Sequence, residues 1–135
     1  SNTQYNKRNC MTEHAVISDK KSSHDLAMMI SELALEKKAE DVVVMDVSEV
    51  AGFTDYFVIA TGNSDVHIKT LTDHIEDELS QYKVKVWHKE GYENLKWVLM
   101  DYVDVVVHLF DAKTRNYYDL ETLWADAEKI LVRDE

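Results

Sequence analysis

Two runs of apolar, largely β-branched residues constrain the fold of this chain more than any other feature. Residues 42–47 form the first run, and residues 56–60 form the second after a turn marked by Gly52. A strand with apolar residues at successive positions presents apolar side chains to both faces of its sheet. Both faces must then be covered, which favours an α/β (α+β) fold in which helices flank the sheet.

Helical spacing of apolar residues predicts three helices around these strands. The first runs over residues 23–38, and the second runs over residues 64–82 with Ser64 as its N-cap. Asp119 is placed to cap the third helix. The predicted apolar face of that helix consists of Leu120, Leu123, Trp124, Ala127, Ile130 and Leu131.

Three further strands complete the predicted sheet. Residues 84–87 alternate between polar and apolar positions, as in a half-buried strand. Residues 97–101 and 105–110 are predicted to form an antiparallel pair joined by a tight turn over residues 102–104. The predicted element order is α-β-β-α-β-β-β-α, which gives a five-stranded sheet.

The chain is predicted to hold one domain, residues 23–135, after a flexible leader over residues 1–22 whose first two residues could be vector-derived. Cys10 is the only cysteine, so neither a disulfide framework nor a cysteine zinc site can form within one chain. No apolar run approaches the roughly 18 residues of a membrane span, and the leader lacks a secretory apolar segment. These features favour a cytoplasmic protein that does not enter a membrane.

The net charge of the chain bears on its partners. Its formal value is -11, from 26 acidic and 15 basic residues. A large direct interface with nucleic acid is disfavoured, because lysine and arginine must replace the counterions of the phosphates there. A basic protein is the better partner. The same charge would also simply keep a protein dispersed in solution, and composition does not separate the two explanations.

The turn Thr61-Gly62-Asn63-Ser64 follows a strand and opens a helix, which makes it a candidate anion site. Backbone N–H groups and the helix dipole at such a turn can hold a phosphate. The turn lacks the glycine density and the lysine of a phosphate-binding loop, and a plain turn with a serine cap also explains it. It resembles the turn of the nucleotidyltransferase fold, whose chemistry needs two carboxylates on the next strand. Lys83, Lys85 and His88 stand there instead.

Two aspartates and a histidine in the predicted hairpin form a second candidate site. Asp101 and Asp104 flank the turn, while His108 lies in the strand that follows. Neither a hairpin nor a continuous strand brings all three together. Aspartates that accept backbone N–H groups at the turn are the plainer explanation, and His108 is more simply a packed residue on a sheet face.

A third candidate, a divalent-metal site, consists of His88, Glu90 and Glu93 around Gly91. The chain contains no HExxH spacing, in which two histidines on one helix face hold a zinc ion. We therefore expect neither a metal nor a cofactor, and no catalysis.

Residues 97–124 hold two tryptophans, three tyrosines, a histidine and an arginine. Aromatic residues and arginine dominate binding hot spots, because a large rigid side chain with a polar edge loses little entropy when it is buried. The stretch therefore predicts a recognition surface built on the hairpin and the helix after it.

Several motifs in order along the chain carry a family resemblance. They are AEDV at 39–42, DVS at 46–48, TDYFVIATGNS at 54–64, EG at 90–91, WVLMDY at 97–102, DVVVH at 104–108 and RNYYDLETLW at 115–124. Together they resemble the ribosomal silencing factor family, also called the Iojap family, over residues 26–124. Separate motifs at compatible spacing are far more specific than a single glycine signature.

The resemblance implies a nucleotidyltransferase-like fold with a mixed sheet. It also implies a non-catalytic translation repressor that binds the large ribosomal subunit through its ribosomal protein number fourteen and blocks joining of the small subunit. Family members often form dimers, so a homodimer is a further implication. The acidic charge agrees with little direct nucleic-acid contact. Two other functions stay open: a metal-dependent nucleotidyltransferase-like enzyme acting at residues 61–64, and a homodimeric adaptor for a non-ribosomal protein.

The same resemblance assigns residues to the ribosomal contact. They are Trp97, Met100, Tyr102, His108, Tyr118 and Leu120. Asp101, Asp104 and Arg115 are assigned to shaping the hairpin or pairing with charged groups, and Trp124 is predicted to lie in the core.

Val103 departs from the family pattern, which usually has glycine at this turn position. A β-branched residue resists a positive φ. Either the turn therefore has another geometry, or its tip is displaced together with Tyr102 and Asp104.

Overall fold

The computed structural model describes residues 20–133. The predicted leader lies outside this range apart from residues 20–22, which belong to the first helix, so that helix begins at Lys20 and not at Ser23. The helices and strands of the described range are α1 (Lys20–Glu36), β1 (Glu40–Asp46), β2 (Tyr56–Gly62), α2 (Asp65–Ser80), β3 (His88–Glu90), β4 (Trp97–Asp101), β5 (Val105–Asp111), α3 (Ala112–Tyr118), α4 (Leu120–Leu123) and β6 (Glu128–Val132).

The strands form one mixed sheet in the order β3-β4-β5-β2-β1-β6. Neighbouring strands pair antiparallel except β2 and β5, which run parallel, with Ile59 opposite His108. A parallel pair needs a long crossover connection, and α2, β3 and β4 lie within it. The predicted α/β class with a mixed sheet is confirmed, with six strands rather than five.

The two faces of the sheet are covered unequally. On the front face, α1 and α2 pack over alternate residues of the strands, including Val44, Val58, Val107 and Leu109. The intervening residues form the back face, where a smaller cluster includes Val43, Ile59, Val106 and Phe110. Strand β2 is buried along its whole length, as the apolar run at residues 56–60 predicted.

Residues 84–87 do not form the predicted third strand. The third strand is β3, which pairs with β4. The Val84 N–H instead donates to the Leu79 carbonyl at the end of α2, over 3.0 Å. Val84 is buried and Val86 packs against the front-face cluster, so the alternation belongs to an extended connection rather than to a paired strand.

The end of the chain is also not the predicted long helix. Helix α4 ends at Leu123, and β6 follows as an antiparallel neighbour of β1, with Val44 opposite Ile130. Without β6, β1 would be a sheet edge with apolar side chains on both faces, which invites aggregation. Covering that edge is the physical reason for a strand here.

The tip of the β4–β5 hairpin is a three-residue turn, in which the Asp104 N–H donates to the Tyr102 carbonyl over 2.9 Å. Val103 has φ 76°, so the turn keeps a backbone conformation that suits glycine; the alternative of another turn geometry is wrong, and displacement of the tip stays a prediction. The Asp101 carboxylate accepts the Val103 N–H over 2.7 Å and holds the turn. The tip is thus a strained turn fixed by a side chain.

Replacing Val103 with glycine is expected to stabilise the fold by about 1 kcal/mol, because relief of strain exceeds the entropy that glycine loses on folding. Val103 is exposed, so little packing is lost. Thermal unfolding should show a higher Tm for Val103→Gly, and a smaller change for Val103→Ala, which keeps a Cβ. A lower Tm for the glycine variant would contradict the assignment of strain to this residue.

Candidate partner-binding surface

The segment 112–127 folds back over the centre of the back face. Asp111 caps α3 by accepting the Thr114 N–H over 2.7 Å. Asp119, with φ 50°, ends α3 in the left-handed conformation and redirects the chain into α4. This path places Tyr118, Leu120 and Trp124 against the sheet.

Aromatic rings connect this segment to the strands. The Trp97 ring lies 4.8 Å from that of Tyr118 and 4.9 Å from that of Phe110, measured between centroids. Trp124 packs edge-on against Phe57 at 5.8 Å. Offset and edge-to-face contacts of this kind stabilise a cluster beyond the area that they bury.

The outer members of this cluster are open to solvent. The exposed fractions are 51% for Tyr118, 62% for Phe53 and 79% for Tyr117. Scattered apolar residues need no explanation on a protein surface, but neighbouring aromatic residues around a partly covered sheet face are typical of a binding surface. We call Phe53, Trp97, Tyr117, Tyr118 and Trp124 the aromatic surface.

Beyond the aromatic surface, the back face extends onto β3 and β4. Glu90 lies opposite Leu99, and His88 lies opposite Asp101, so these four residues share the face. Both His88 and Glu90 are exposed, while Leu99 and Asp101 are partly buried. The open end of the back face therefore combines an apolar side chain with two carboxylates, which suits a basic partner.

His108 lies under the aromatic surface. Its Nδ1 accepts the Trp97 Nε1–H over 3.1 Å, and its ring meets that of Phe57 at 4.8 Å. Burial lowers the pKa of His108 to about 3, so the ring is neutral at physiological pH. In that state Nε2 carries the proton, and it has no hydrogen-bond partner within residues 20–133. An enclosed, neutral imidazole of this kind is suited to packing rather than to proton transfer.

Arg115 ties three parts of the chain together. Its Nε and Nη2 donate to the two carboxylate oxygens of Glu121 over 3.1 and 2.9 Å. Its Nη1 donates to the Asp41 carbonyl over 2.7 Å and to Thr61 Oγ1 over 2.8 Å. Arg115 thus joins α3 to α4 and fastens both to the ends of β1 and β2.

The turn at residues 61–64 is satisfied by its own chain. Ser64 Oγ accepts the His67 N–H over 3.0 Å as the N-cap of α2, and the Asn63 N–H donates to His67 Nδ1 over 2.9 Å. Gly62 leaves no room for a side chain, since a Cβ would lie 2.6 Å from Ile68 Cγ1. These contacts favour the plain capped turn over an anion site.

The metal candidate is not assembled. His88 Nε2 and Glu90 Oε2 form a pair at 2.6 Å, and within residues 20–133 no group of three or more His, Cys, Asp or Glu side chains could hold a metal ion. In the same range, no helix has the length and apolar character needed to cross a membrane.

Comparison with known proteins places this structure in a family. The model of the family described as ribosomal silencing factor during starvation matches residues 20–135. The chain belongs to the ribosomal silencing factor family. The ribosomal silencing factor RsfS of Bacillus subtilis is 40% identical over 92 residues, which cover 68% of this chain and 78% of that protein. The family predicted from the motifs is confirmed.

Two further relatives extend the comparison. A mouse protein named mitochondrial assembly of ribosomal large subunit protein 1 is 32% identical over 106 residues, covering 74% of this chain and 45% of that protein. A crystal structure of a protein from Chromobacterium violaceum matches with a TM-score of 0.71 and 29% identity, covering 86% of this chain and 94% of that one. The silencing factor fold is therefore shared with a solved structure.

The residues that the sequence assigned to the ribosomal contact fall on both faces of the sheet. Trp97, Tyr118 and Leu120 lie at the back face, with Tyr118 the most exposed of them. His108 lies below them and is 5% exposed. Their role in binding stays a prediction.

Met100 and Tyr102 require a correction. Met100 is 0% exposed and Tyr102 is 6% exposed, both in the front-face cluster, so neither can serve as a surface anchor in this conformation. The reason is the two-residue period of a strand, because Trp97, Leu99 and Asp101 point to the back face while the intervening residues point to the front. Burial also raises the pKa of the Tyr102 hydroxyl, with a smaller contribution from Glu76.

Asp101, Asp104 and Trp124 have structural contacts. Asp101 holds the hairpin turn through the Val103 N–H. The Asp104 carbonyl accepts the N–H groups of Asp55 and Tyr56, and burial together with the nearby Asp55 raises the pKa of its carboxyl. Trp124 is partly buried against the back-face cluster rather than fully in a core.

Phe53 was not predicted from the sequence. The signal that could have indicated it is an aromatic residue directly after the Gly52 turn.

Proposed function

We propose that this member of the silencing factor family represses translation by binding the large ribosomal subunit and preventing the small subunit from joining it. The aromatic surface and the open end of the back face would contact a basic ribosomal protein, number fourteen of the large subunit. The action is steric, and no reaction is catalysed. A cytoplasmic location and a homodimer stay predictions of the sequence.

The observation that carries this proposal is the partly covered back face, where exposed aromatic side chains stand beside carboxylates. Tyr118 is half exposed, yet its ring is oriented by contacts with Trp97 and Tyr117 at 4.8 and 5.0 Å. A pre-oriented aromatic side chain loses little entropy on binding, which is the property of a hot-spot residue.

Charge supports a protein rather than RNA as the main partner. The chain carries a formal charge of -11, and Glu90 and Asp101 lie beside the aromatic surface. Carboxylates at the rim of an interface steer a basic partner toward it and repel phosphates. The names of the relatives agree, since one is a silencing factor and another is named for assembly of the large ribosomal subunit.

Truncating Tyr118 to alanine is expected to weaken binding to the isolated ribosomal protein by about 2 kcal/mol, or roughly 30-fold, with little change in Tm. Val66→Ala is the matched control, because Val66 is 74% exposed on α2 at the other side of the sheet. Titration calorimetry and thermal unfolding should be measured on both variants. Equal affinity of the Tyr118 variant and the native protein would remove Tyr118 from the contact.

The proposed function itself is tested with purified ribosomal subunits. The native protein should sediment with large subunits and, when added first, reduce the yield of joined ribosomes. Ile75→Ala is the folding control, since Ile75 is fully buried in the front-face cluster and its truncation should lower stability by about 2 to 4 kcal/mol without changing the aromatic surface. Native protein that stays at the top of the gradient, with joining unchanged, would end the proposal.

A further inference from the structure

One segment of this acidic chain has the opposite charge. Residues 81–89 read QYKVKVWHK, with three lysines, one histidine and no acidic residue, whereas the whole chain has 26 acids against 15 bases. The segment connects α2 to β3 and enters β3 at the edge of the sheet. A run of basic residues thus lies next to the β3 edge of the sheet, opposite the edge formed by β6.

Three side chains of this segment are exposed to solvent. Val84 and Val86 pack inward, while Lys83, Lys85 and Trp87 are exposed. Lys85 and Trp87 lie two apart in the extended stretch, so their side chains share one side at a spacing of roughly 6.5 Å, whereas Lys83, with φ 64°, belongs to the turn that ends α2. We call Lys83, Lys85 and Trp87 the basic strip.

Both ends of the basic strip are fixed by hydrogen bonds. At one end the Val84 N–H donates to the Leu79 carbonyl over 3.0 Å, and at the other the Trp87 N–H donates to the Asp101 carbonyl over 2.9 Å. A ligand would therefore meet an ordered backbone and would have to order only the side chains.

The cations of the basic strip are available to a ligand. In the part of the chain that the structure describes, neither Lys83 nor Lys85 forms an ion pair, whereas Lys89 pairs with Glu76 at 2.7 Å. The carboxylate of Glu90, which follows the strip, is held by His88 at 2.6 Å. Glu76 and Glu90 are thus engaged by Lys89 and His88, and Lys83 and Lys85 keep their charge for a partner.

Trp87 has no structural reason to be exposed. Its exposed fraction is 72%, and its ring lies 6.0 Å from that of His88, measured between centroids. An indole offers the largest flat surface of any side chain, and nucleic-acid bases stack on such surfaces with little regard to sequence.

We propose that the basic strip binds an unpaired stretch of RNA, with successive phosphates on Lys83 and Lys85 and a base stacked on Trp87. The inference deepens the proposed function, on which it rests, because a large ribosomal subunit presents RNA around its proteins. An acidic peptide would use the lysines, but it has no planar group that calls for an exposed indole beside them. The remaining negative charge confines the RNA contact to this edge and so fixes how the protein is oriented.

The first test uses RNA alone. Anisotropy of a labelled, unstructured oligouridylate of roughly 12 nucleotides should report binding to the full chain at low salt. The double variant Lys83→Gln/Lys85→Gln and the variant Trp87→Ala should each bind about tenfold more weakly. The control Lys37→Gln/Lys129→Gln makes the same change in charge at exposed lysines away from the strip and should bind as the native protein does. Thermal unfolding confirms that every variant is folded.

The second test uses the large ribosomal subunit. The strip variants should bind it about tenfold more weakly, and the slope of log K against log salt should fall by about 1.4 for the two lysines. Their affinity for the isolated ribosomal protein should stay unchanged. If native protein fails to sediment with subunits, the proposed function is wrong, while the oligouridylate titration still decides the RNA contact.

Three results would overturn the proposal. They are the absence of oligouridylate binding by native protein, equal binding by the strip variants and the native protein, and displacement of the RNA by oligoglutamate at similar concentration. The last would assign the basic strip to acidic peptides instead.

Discussion

Lowering the pH from 7 to 5 is expected to destabilise the fold by about 2 kcal/mol through His108 alone. In the folded protein, burial lowers the pKa of His108 to about 3, whereas in the unfolded chain it is about 6.5. Below pH 6.5 the unfolded chain takes up a proton that the folded protein cannot accept. Stability that is complete above pH 6.5 is therefore lost progressively as the pH falls toward 3. Urea unfolding followed by tryptophan fluorescence at several pH values measures this loss.

The variant His108→Gln isolates this contribution. Glutamine does not titrate, and its side-chain carbonyl can still accept the Trp97 Nε1–H that Nδ1 accepts in the native protein. Its stability should be lower at pH 7 but should fall much less between pH 7 and pH 5. The same change at exposed His88 should leave the native pH dependence intact. If His108→Gln loses as much stability as the native protein over this range, the buried histidine is not the cause.

The environment of His108 shows what the sequence could predict and what it could not. A histidine packed on a sheet face followed from its place in an apolar strand. The hydrogen bond between His108 and Trp97 could not be predicted, because it depends on the register of β4 and β5. In that register Leu99 lies opposite His108 and Trp97 lies opposite Phe110. Register is set by contacts between strands, and a single sequence carries no direct signal of it.

The central strands were predicted correctly because a short run of β-branched residues is typical of a strand that is buried on both faces. Strand β6 was not predicted, because the segment from Leu120 to Leu131 has the apolar spacing of a helix and, at its end, also the alternation of a strand. Ile130 and Val132 face the front cluster as alternate residues of β6, while Leu131 is 61% exposed. The need to cover the edge of β1 decides between the two patterns, and this is a property of the assembled sheet.

In the candidate site, too, the sequence predicts some features and only the folded structure shows the others. Motifs identified the family and the stretch that forms the aromatic surface, but motif residues are not all on one face. Met100 and Tyr102 belong to the same motif as Trp97, yet they are buried in the front-face cluster. Assigning contact residues therefore needs the strand period as well as the motif.

Arg115 had no signal in the sequence beyond its position in a motif. Its partners Asp41 and Thr61 lie 74 and 54 residues away along the chain, so only the folded structure brings them together. Its side chain is 12% exposed and that of Glu121 is 25% exposed, which makes the pair partly buried. Removing either partner of a partly buried ion pair with two parallel hydrogen bonds lowers the stability of the fold. The remaining partner then keeps its charge in a position that is partly shielded from water.

Replacing Arg115 with methionine is expected to destabilise the fold by about 2 to 3 kcal/mol, below the range for a fully buried pair because water still reaches both groups. The change leaves the Glu121 carboxylate without its partner and the Asp41 carbonyl without its donor. Arg115→Lys should recover only part of the loss, since a single ammonium group cannot reach both carboxylate oxygens and the two strand ends at once. Urea unfolding of both variants provides the measurement.

A double-mutant cycle separates the ion pair from the strand contacts. If Glu121 is the main partner, Arg115→Met combined with Glu121→Met should be less destabilised than the sum of the two single variants, because no carboxylate is left unpaired. If the contacts with Asp41 and Thr61 dominate, the double variant should be at least as unstable as that sum. If the free energy of unfolding of Arg115→Met is within about 0.5 kcal/mol of that of the native protein, Arg115 does not stabilise the fold. The segment 112–127 is then held on the back face by its aromatic residues alone.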